Sequence, residues 1–195
     1  MARPRTFKQE DAIKGATDIF WRQGFKATSL PDLLKSMQMT RGSFYLAFGT
    51  KQNVYSLSLD YYDRCILDGV VTQLEACECD EVWDCIAPLF QTTFPDQRGC
   101  FICNAMVELG PDNREVADKA NHMAERLRDA IQSVLSRQSK RSDTLSEREY
   151  ADLILHLYFG HQAIGKAGNK NSGWEVALKH LLEQFSSGTP ASETV

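Results

Sequence analysis

Nothing in this 195-residue chain approaches the roughly twenty consecutive apolar residues that a membrane-spanning helix requires, so no transmembrane segment is expected. The opening Met-Ala-Arg-Pro-Arg-Thr-Phe-Lys is basic but leads into no apolar segment. It does not read as a secretory signal, and the cytoplasm is the expected location. Alternating strand patterns are almost absent, and no tandem repeat is visible. Also missing are a nucleophile elbow, a phosphate loop, a His-Glu-x-x-His pair and a Gly-rich dinucleotide fingerprint. No enzymatic activity and no cofactor are expected.

What is present is helical spacing throughout, which predicts an all-α chain of about nine helices. Thr6-Phe-Lys-Gln9 has the form of a capping box, followed by Ile13, Ala16 and Phe20 on one face and a stop at Gly24. A second short helix starts at Thr28 or Ser29, with Pro31 in its first turn and Leu30, Leu33, Leu34 and Met37 on one face. Gln38-Met39-Thr40 breaks it, and Thr40 can cap a third helix over 41–48 with Phe44 and Phe48 inward. The periodicity then predicts helices over 51–75 (stripe Val54, Leu57, Tyr61, Cys65), 82–94, 99–109, 113–138, 147–166 and 173–185. The expected organisation is a helix-turn-helix domain over 1–50, a helical regulatory and dimerisation domain over 51–186, and a disordered tail over 187–195.

The formal charge of −4 is unevenly spread. Residues 1–51 hold nine Lys/Arg against four Asp/Glu, net +5, and the remainder holds 13 against 22, net −9. A basic head on an acidic body suits phosphate contact by the head alone. In a helix-turn-helix the third helix lies in the major groove with its N-terminal residues at the base edges. Here these are Thr40, Arg41, Gly42 and Ser43. Arg41 can give a guanine two parallel hydrogen bonds. Gly42 is a poor helix former, so its place near a helix start suggests a close backbone approach. Ser43, Tyr45 and Lys51 are placed for phosphates, Lys51 beside the dipole of the next helix. Arg3 and Arg5 on the N-terminal arm can reach a neighbouring groove or the backbone, and Thr28 opens the reading head. A non-DNA helical adaptor is the remote alternative.

From Ser29-Leu-Pro-Asp-Leu-Leu-Lys-Ser-Met-Gln-Met-Thr-Arg-Gly-Ser-Phe-Tyr-Leu-Ala-Phe48 through Gly49-Thr50-Lys51, the chain closely resembles the DNA-binding signature of the tetracycline-repressor (TetR/AcrR) family. Ala16-Thr-Asp-Ile-Phe-Trp-Arg-Gln-Gly-Phe-Lys-Ala-Thr-Ser29 resembles that family's first helix and link. The likeness covers about residues 6–66, with the motif at 29–48. The chain departs from it at Gln38, where the family usually has Gly, and at Leu46-Ala47. The resemblance implies a homodimer on palindromic double-stranded operator DNA, most often a repressor, released by a small organic inducer. Gly99-Cys-Phe-Ile-Cys-Asn-Ala-Met-Val-Glu-Leu-Gly110 resembles a segment from one branch of the family.

In the body, the apolar bands Tyr150, Leu153, Ile154, Leu157, Tyr158 and Trp174, Leu178, Leu181, Leu182, Phe185 fit a dimer-forming helix pair, or equally an internal core. Candidate inducer contacts are Trp83, Phe90, Phe94, Phe101, Asn104, His122, Phe159 and Gln162, aromatics mixed with a few polar groups.

Six cysteines in an expected intracellular chain argue against a disulfide framework. They read as buried small hydrophobes, redox sensors or metal ligands. Cys100 and Cys103, one turn apart near a helix N-terminus, form the thiol-sensing alternative to ligand response. Cys77-Glu-Cys79 with Cys85 lacks a second Cys/His pair, so no metal is assigned.

Overall fold

A computed structural model describes residues 9–91, 98–137, 145–168 and 174–187, with no side chain described over 184–187. The described residues contain no strand. Their helices are α1 (Gln9–Gln23), α2 (Leu30–Ser36), α3 (Arg41–Phe48), α4 (Lys51–Tyr62), α5 (Asp68–Ala76), α6 (Val82–Gln91), α7 (Phe101–Glu108), α8 (Arg114–Ser136), α9 (Glu147–Lys166) and α10 (Trp174–Ser187). A π-helical turn, Asp63–Leu67, joins α4 to α5 without a break, so the expected single helix over 51–75 and the expected count of about nine are both observed. The chain divides into two compact units, residues up to 67 with 98–123, and residues 68–97 with the chain from 124 onward.

In the first unit α1 buries Ala12, Ile13, Ala16, Phe20 and Trp21. It stops at Gly24, whose φ of +84° favours glycine, and whose N–H donates to the Phe20 carbonyl at 2.8 Å. Ser29 caps α2, accepting from the Asp32 N–H at 3.2 Å. α1 and α2 cross at Gly15, where a Cβ would lie 2.3 Å from the Ser36 carbonyl oxygen. The Ser36 hydroxyl donates across that crossing to the Gly15 carbonyl at 2.8 Å. Gln38 takes a φ of 54° in the turn that follows, the left-handed region that glycine enters at least cost.

The apolar face of α4 is not the expected stripe. Val54, Tyr55, Ser58, Leu59 and Tyr62 are buried, whereas Cys65 is exposed and Leu57 and Tyr61 are half-buried. α4 turns that face to α1 and α7, and rings fill the space: Phe20 and Tyr55 lie 5.1 Å apart, Tyr55 and Phe101 5.6 Å, and Trp21 and Tyr62 5.1 Å, all edge-on. The Trp21 indole N–H donates to the Gly99 carbonyl at 2.8 Å.

The second unit is built on Phe90 of α6. Its ring lies 4.8 Å from Trp174 of α10 and 6.0 Å from Tyr158 of α9. Leu127, Ala130, Ile131, Val134 and Leu135 of α8 are buried at helical spacing. Arg126 pairs with Asp68 at 2.5 Å, and the Arg137 guanidinium donates to the Leu74 and Glu75 carbonyls at 2.7 Å. Ser146 and Glu149 make a reciprocal capping box at the start of α9, and the hydrogen bonds from Ser146 hold the Glu149 carboxyl below its ordinary range.

One expectation is corrected. Cys77 and Cys85 are joined by a disulfide, because the turn after α5 brings their Cα atoms to 5.8 Å.

Candidate nucleic-acid interface

α3 is an eight-residue helix whose inner face carries Phe44 and Phe48, both buried. Thr40 caps it, accepting from the Ser43 N–H at 3.2 Å, with the two hydroxyls 3.0 Å apart. That cap fixes the first turn so that Arg41, Gly42, Ser43 and Tyr45 face outward, all exposed. Leu46 is 92% exposed, an apolar side chain left uncovered within the described chain. The Arg41 guanidinium lies 5.9 Å from the centroid of the Tyr45 ring, one turn on. A Cβ built on Gly42 would meet nothing within 4 Å, so packing inside the chain does not explain the glycine. Gly49, at φ +71°, and the Thr50 cap turn the chain directly into α4.

Lys51 opens α4 at the edge of this surface and is half-buried. Its ammonium lies 4.2 Å from the centroid of the Phe25 ring. Burial pulls its pKa below the ordinary lysine value, and the nearby Glu108 carboxylate opposes that shift. Glu108, at the end of α7, accepts from the backbone N–H groups of Phe25 and Lys26 at 2.8 and 2.6 Å. It thereby clamps the α1–α2 link, and a Cβ on Gly24 would come within 2.7 Å of its carboxylate. Local sequence carries no signal for Glu108, because its partners are 82 and 83 residues away. Tyr55 lies in the same field. Its hydroxyl is buried with no partner among the described residues, and burial, then Glu108, push the phenol above its ordinary pKa.

Thr28 is corrected: it is buried, and its hydroxyl donates to the Gly24 carbonyl at 2.6 Å, closing the link between α1 and α2 instead of facing outward. Arg3, Arg5 and Phe94 lie outside the described residues, as does the Phe185 side chain.

The other candidates are dispersed. Phe101, Asn104 and His122 belong to the first unit, whereas Trp83, Phe90, Phe159 and Gln162 belong to the second. Phe101 is fully buried in the ring cluster beside α1 and α4, the Asn104 amide donates to the Arg98 carbonyl at 3.0 Å, and His122 is exposed. Phe101 and Asn104 thus have structural partners of their own. Phe90 and Gln162 are buried, with Trp83 and Phe159 half-buried. Of the expected dimer residues, Tyr150, Ile154, Leu178 and Leu182 are buried within the single chain, which assigns them to its core. Tyr158, Trp174 and Leu181 are half-buried. Leu153 and Leu157 are exposed at 37% and 41%, and Ile164, further along α9, at 51%. Cys100 is buried at the cap of α7 and Cys103 is half-buried, an enclosed setting that does not favour the sensing role considered for the pair.

A short capped helix with an exposed polar edge, set behind a second helix across a tight turn, defines a helix-turn-helix chain. Residues 12–56 match the tetR family of bacterial regulatory proteins. Over those residues the chain is similar to that family. It is 30% identical over 131 residues to ComR, an HTH-type transcriptional repressor of Escherichia coli (strain K12), covering 62% of this chain and 60% of ComR. It is 28% identical over 137 residues to YezE, an uncharacterized HTH-type transcriptional regulator of Bacillus subtilis (strain 168), covering 67% of this chain and 70% of YezE. The fold is shared with CifR, a TetR-family regulator solved as a cysteine-substituted form on a 26-base-pair operator, at TM-score 0.73 and 22% identity over 96% of this chain and all of that one. Among the described residues, no helix is long and apolar enough to cross a membrane.

Proposed function

We propose that this chain is a transcriptional repressor that binds palindromic operator DNA as a homodimer and is released by a small organic inducer. The observation that carries the reading is the outer edge of α3, where Arg41, Gly42, Ser43, Tyr45 and Leu46 stand exposed and Gly42 has open space where a Cβ would be. Arg41 reads a base edge, and Ser43, Tyr45 and Lys51 hold phosphates. Arg3 and Arg5 add charge from the N-terminal arm. The names of the curated relatives and the operator-bound CifR support the same reading.

Support for a dimer comes from α9. Leu153, Leu157, Gly160 and Ile164 recur at i, i+4, i+7 and i+11, so they share one face. That face is exposed, and nothing lies within 4 Å of a Cβ built on Gly160. A two-fold partner helix fits such a seam, as two half-sites on DNA require. For the inducer, the buried Gln162 and the rings of Trp83, Phe90 and Phe159 supply the mixture that holds an organic molecule.

The test is a duplex-binding titration on DNA flanking the chain's own gene, between 50 and 200 mM salt. Nanomolar binding that weakens steeply with salt, with a stoichiometry of two chains per duplex, is expected. Absence of binding to that DNA at any salt rejects the reading.

A further inference from the structure

Three cysteines that the DNA-facing surface does not use meet between α5 and α6. Cys77 follows α5, Cys79 lies two residues on, and Cys85 sits in the first turn of α6. Their three sulfurs lie within 4.8 Å of one another. Cys77 and Cys85 form the disulfide, and Cys79 Sγ is 3.4 Å from Cys77 Sγ. A disulfide sulfur has no hydrogen to give, so Cys79 is the donor in that contact. Burial is graded: Cys85 is buried, Cys77 half-buried and Cys79 exposed, so the trio opens to solvent at one end.

The surrounding charge decides which chemistry suits it. Residues 75–85 contain Glu75, Glu78, Asp80, Glu81 and Asp84 and no Lys, Arg or His. Among the described residues, the Arg137 guanidinium donates to the carbonyls of Leu74 and Glu75 at the start of this stretch. Thiols that sense oxidants or electrophiles sit beside positive charge, which stabilises the attacking thiolate. Here the stretch itself supplies five carboxylates, and what these favour is a cation. Thiolate sulfurs select soft metals. A metal–sulfur bond of about 2.3 Å sets ligand sulfurs about 4 Å apart, within the span of this trio.

We propose that Cys77, Cys79 and Cys85, once reduced, form a three-thiolate site for a thiophilic metal cation of the Zn(II) or Cu(I) class. The disulfide is its oxidised, metal-excluding form. A dithiol reductant delivers two electrons and two protons to the Cys77–Cys85 bond, giving two thiols while the dithiol closes to its own disulfide. The metal then displaces the three thiol protons to water and leaves a further position open on the solvent side. This assignment is independent of DNA binding.

The experiment is an anaerobic titration of the reduced full-length chain with Cd(II), read by thiolate-to-cadmium charge-transfer absorption and by native mass. One cadmium per chain is expected, with the mass showing loss of the displaced protons. Cys79→Ser and Cys85→Ser should each weaken binding at least 100-fold, Cys79→Ser being the safer for folding because that side chain is exposed. Cys65→Ser and Cys103→Ser should bind as the parent does, and the oxidised chain should give no band until it is reduced. A reduced parent chain that gives no band overturns the proposal, and so does a band that persists unchanged in Cys79→Ser and Cys85→Ser.

Discussion

Among the helical glycines with nothing within 4 Å of a built Cβ, two lie on the exposed faces described above, Gly42 on α3 and Gly160 on α9. The side chains around them differ. On α3 the open space is edged by Thr40, Arg41, Ser43 and Tyr45, hydrogen-bond donors in a row beside a single apolar residue, Leu46. On α9 it is edged by Leu153, Leu157 and Ile164, with no charge in the seam. A missing Cβ admits a close approach in both places, and on the function proposed above the flanking chemistry suits a polyanion on α3 and a second helix on α9.

That contrast can be broken most decisively on α9. Leu157→Glu places a charge in the apolar seam, and the chain should sediment as a monomer at micromolar concentration. Operator affinity should then fall about 100-fold or more, because each half-site is held alone. The same change on α3, Leu46→Glu, should leave the dimer intact in the same sedimentation run.

Arg41→Ala should cost about 1–3 kcal/mol of operator binding in a fluorescence titration, with the loss confined to one base-pair position in a mutated-site panel. Equal loss on every sequence would reassign Arg41 to phosphate.

The two glycines sharpen the comparison directly. Gly42→Ala and Gly160→Ala should each add up to about 1 kcal/mol to stability in urea, since alanine is the better helix former and has room at both sites. Gly42→Ala should weaken DNA binding without affecting the dimer, and Gly160→Ala should do the reverse to the self-association constant.

The smallest expected effect lies behind α3, at Tyr55. Removing its buried hydroxyl, which has no partner among the described residues, with Tyr55→Phe should stabilise the chain by about 1 kcal/mol in thermal unfolding. The raised phenol pKa makes a pH-dependent contribution that is present below the unfolded tyrosine value near 10 and is lost as pH rises toward the folded value. The parent should therefore lose stability above pH 10 faster than Tyr55→Phe does.

The helix-turn-helix was legible in advance because its determinants are local. Ser29, Thr40 and Thr50 each cap a helix by accepting from the N–H three residues on, and Gly24 and Gly49 end helices by their own backbone. The buried face of α4 was less legible. Its stripe shifted to Tyr55, Ser58 and Tyr62 once α1 and α7 claimed the opposing surface. The outward face of α9 could not be separated from its core face by periodicity, since both are apolar: Ile154 is buried, whereas Leu153 beside it is exposed.

By itself, then, the sequence determined the helices, their caps and the polar edge of α3, all of which rest on contacts within one turn. Only the tertiary structure decided where Thr28, Phe101 and Glu108 act, which of the α9 residues face outward, and that the sulfurs of Cys77, Cys79 and Cys85 lie together. Thr28 turned inward to close the link, Phe101 joined a ring cluster, and Glu108 reached a link 82 residues back along the chain. The reason is physical: burial depends on what packs opposite a residue, and spacing along a helix does not specify its partner.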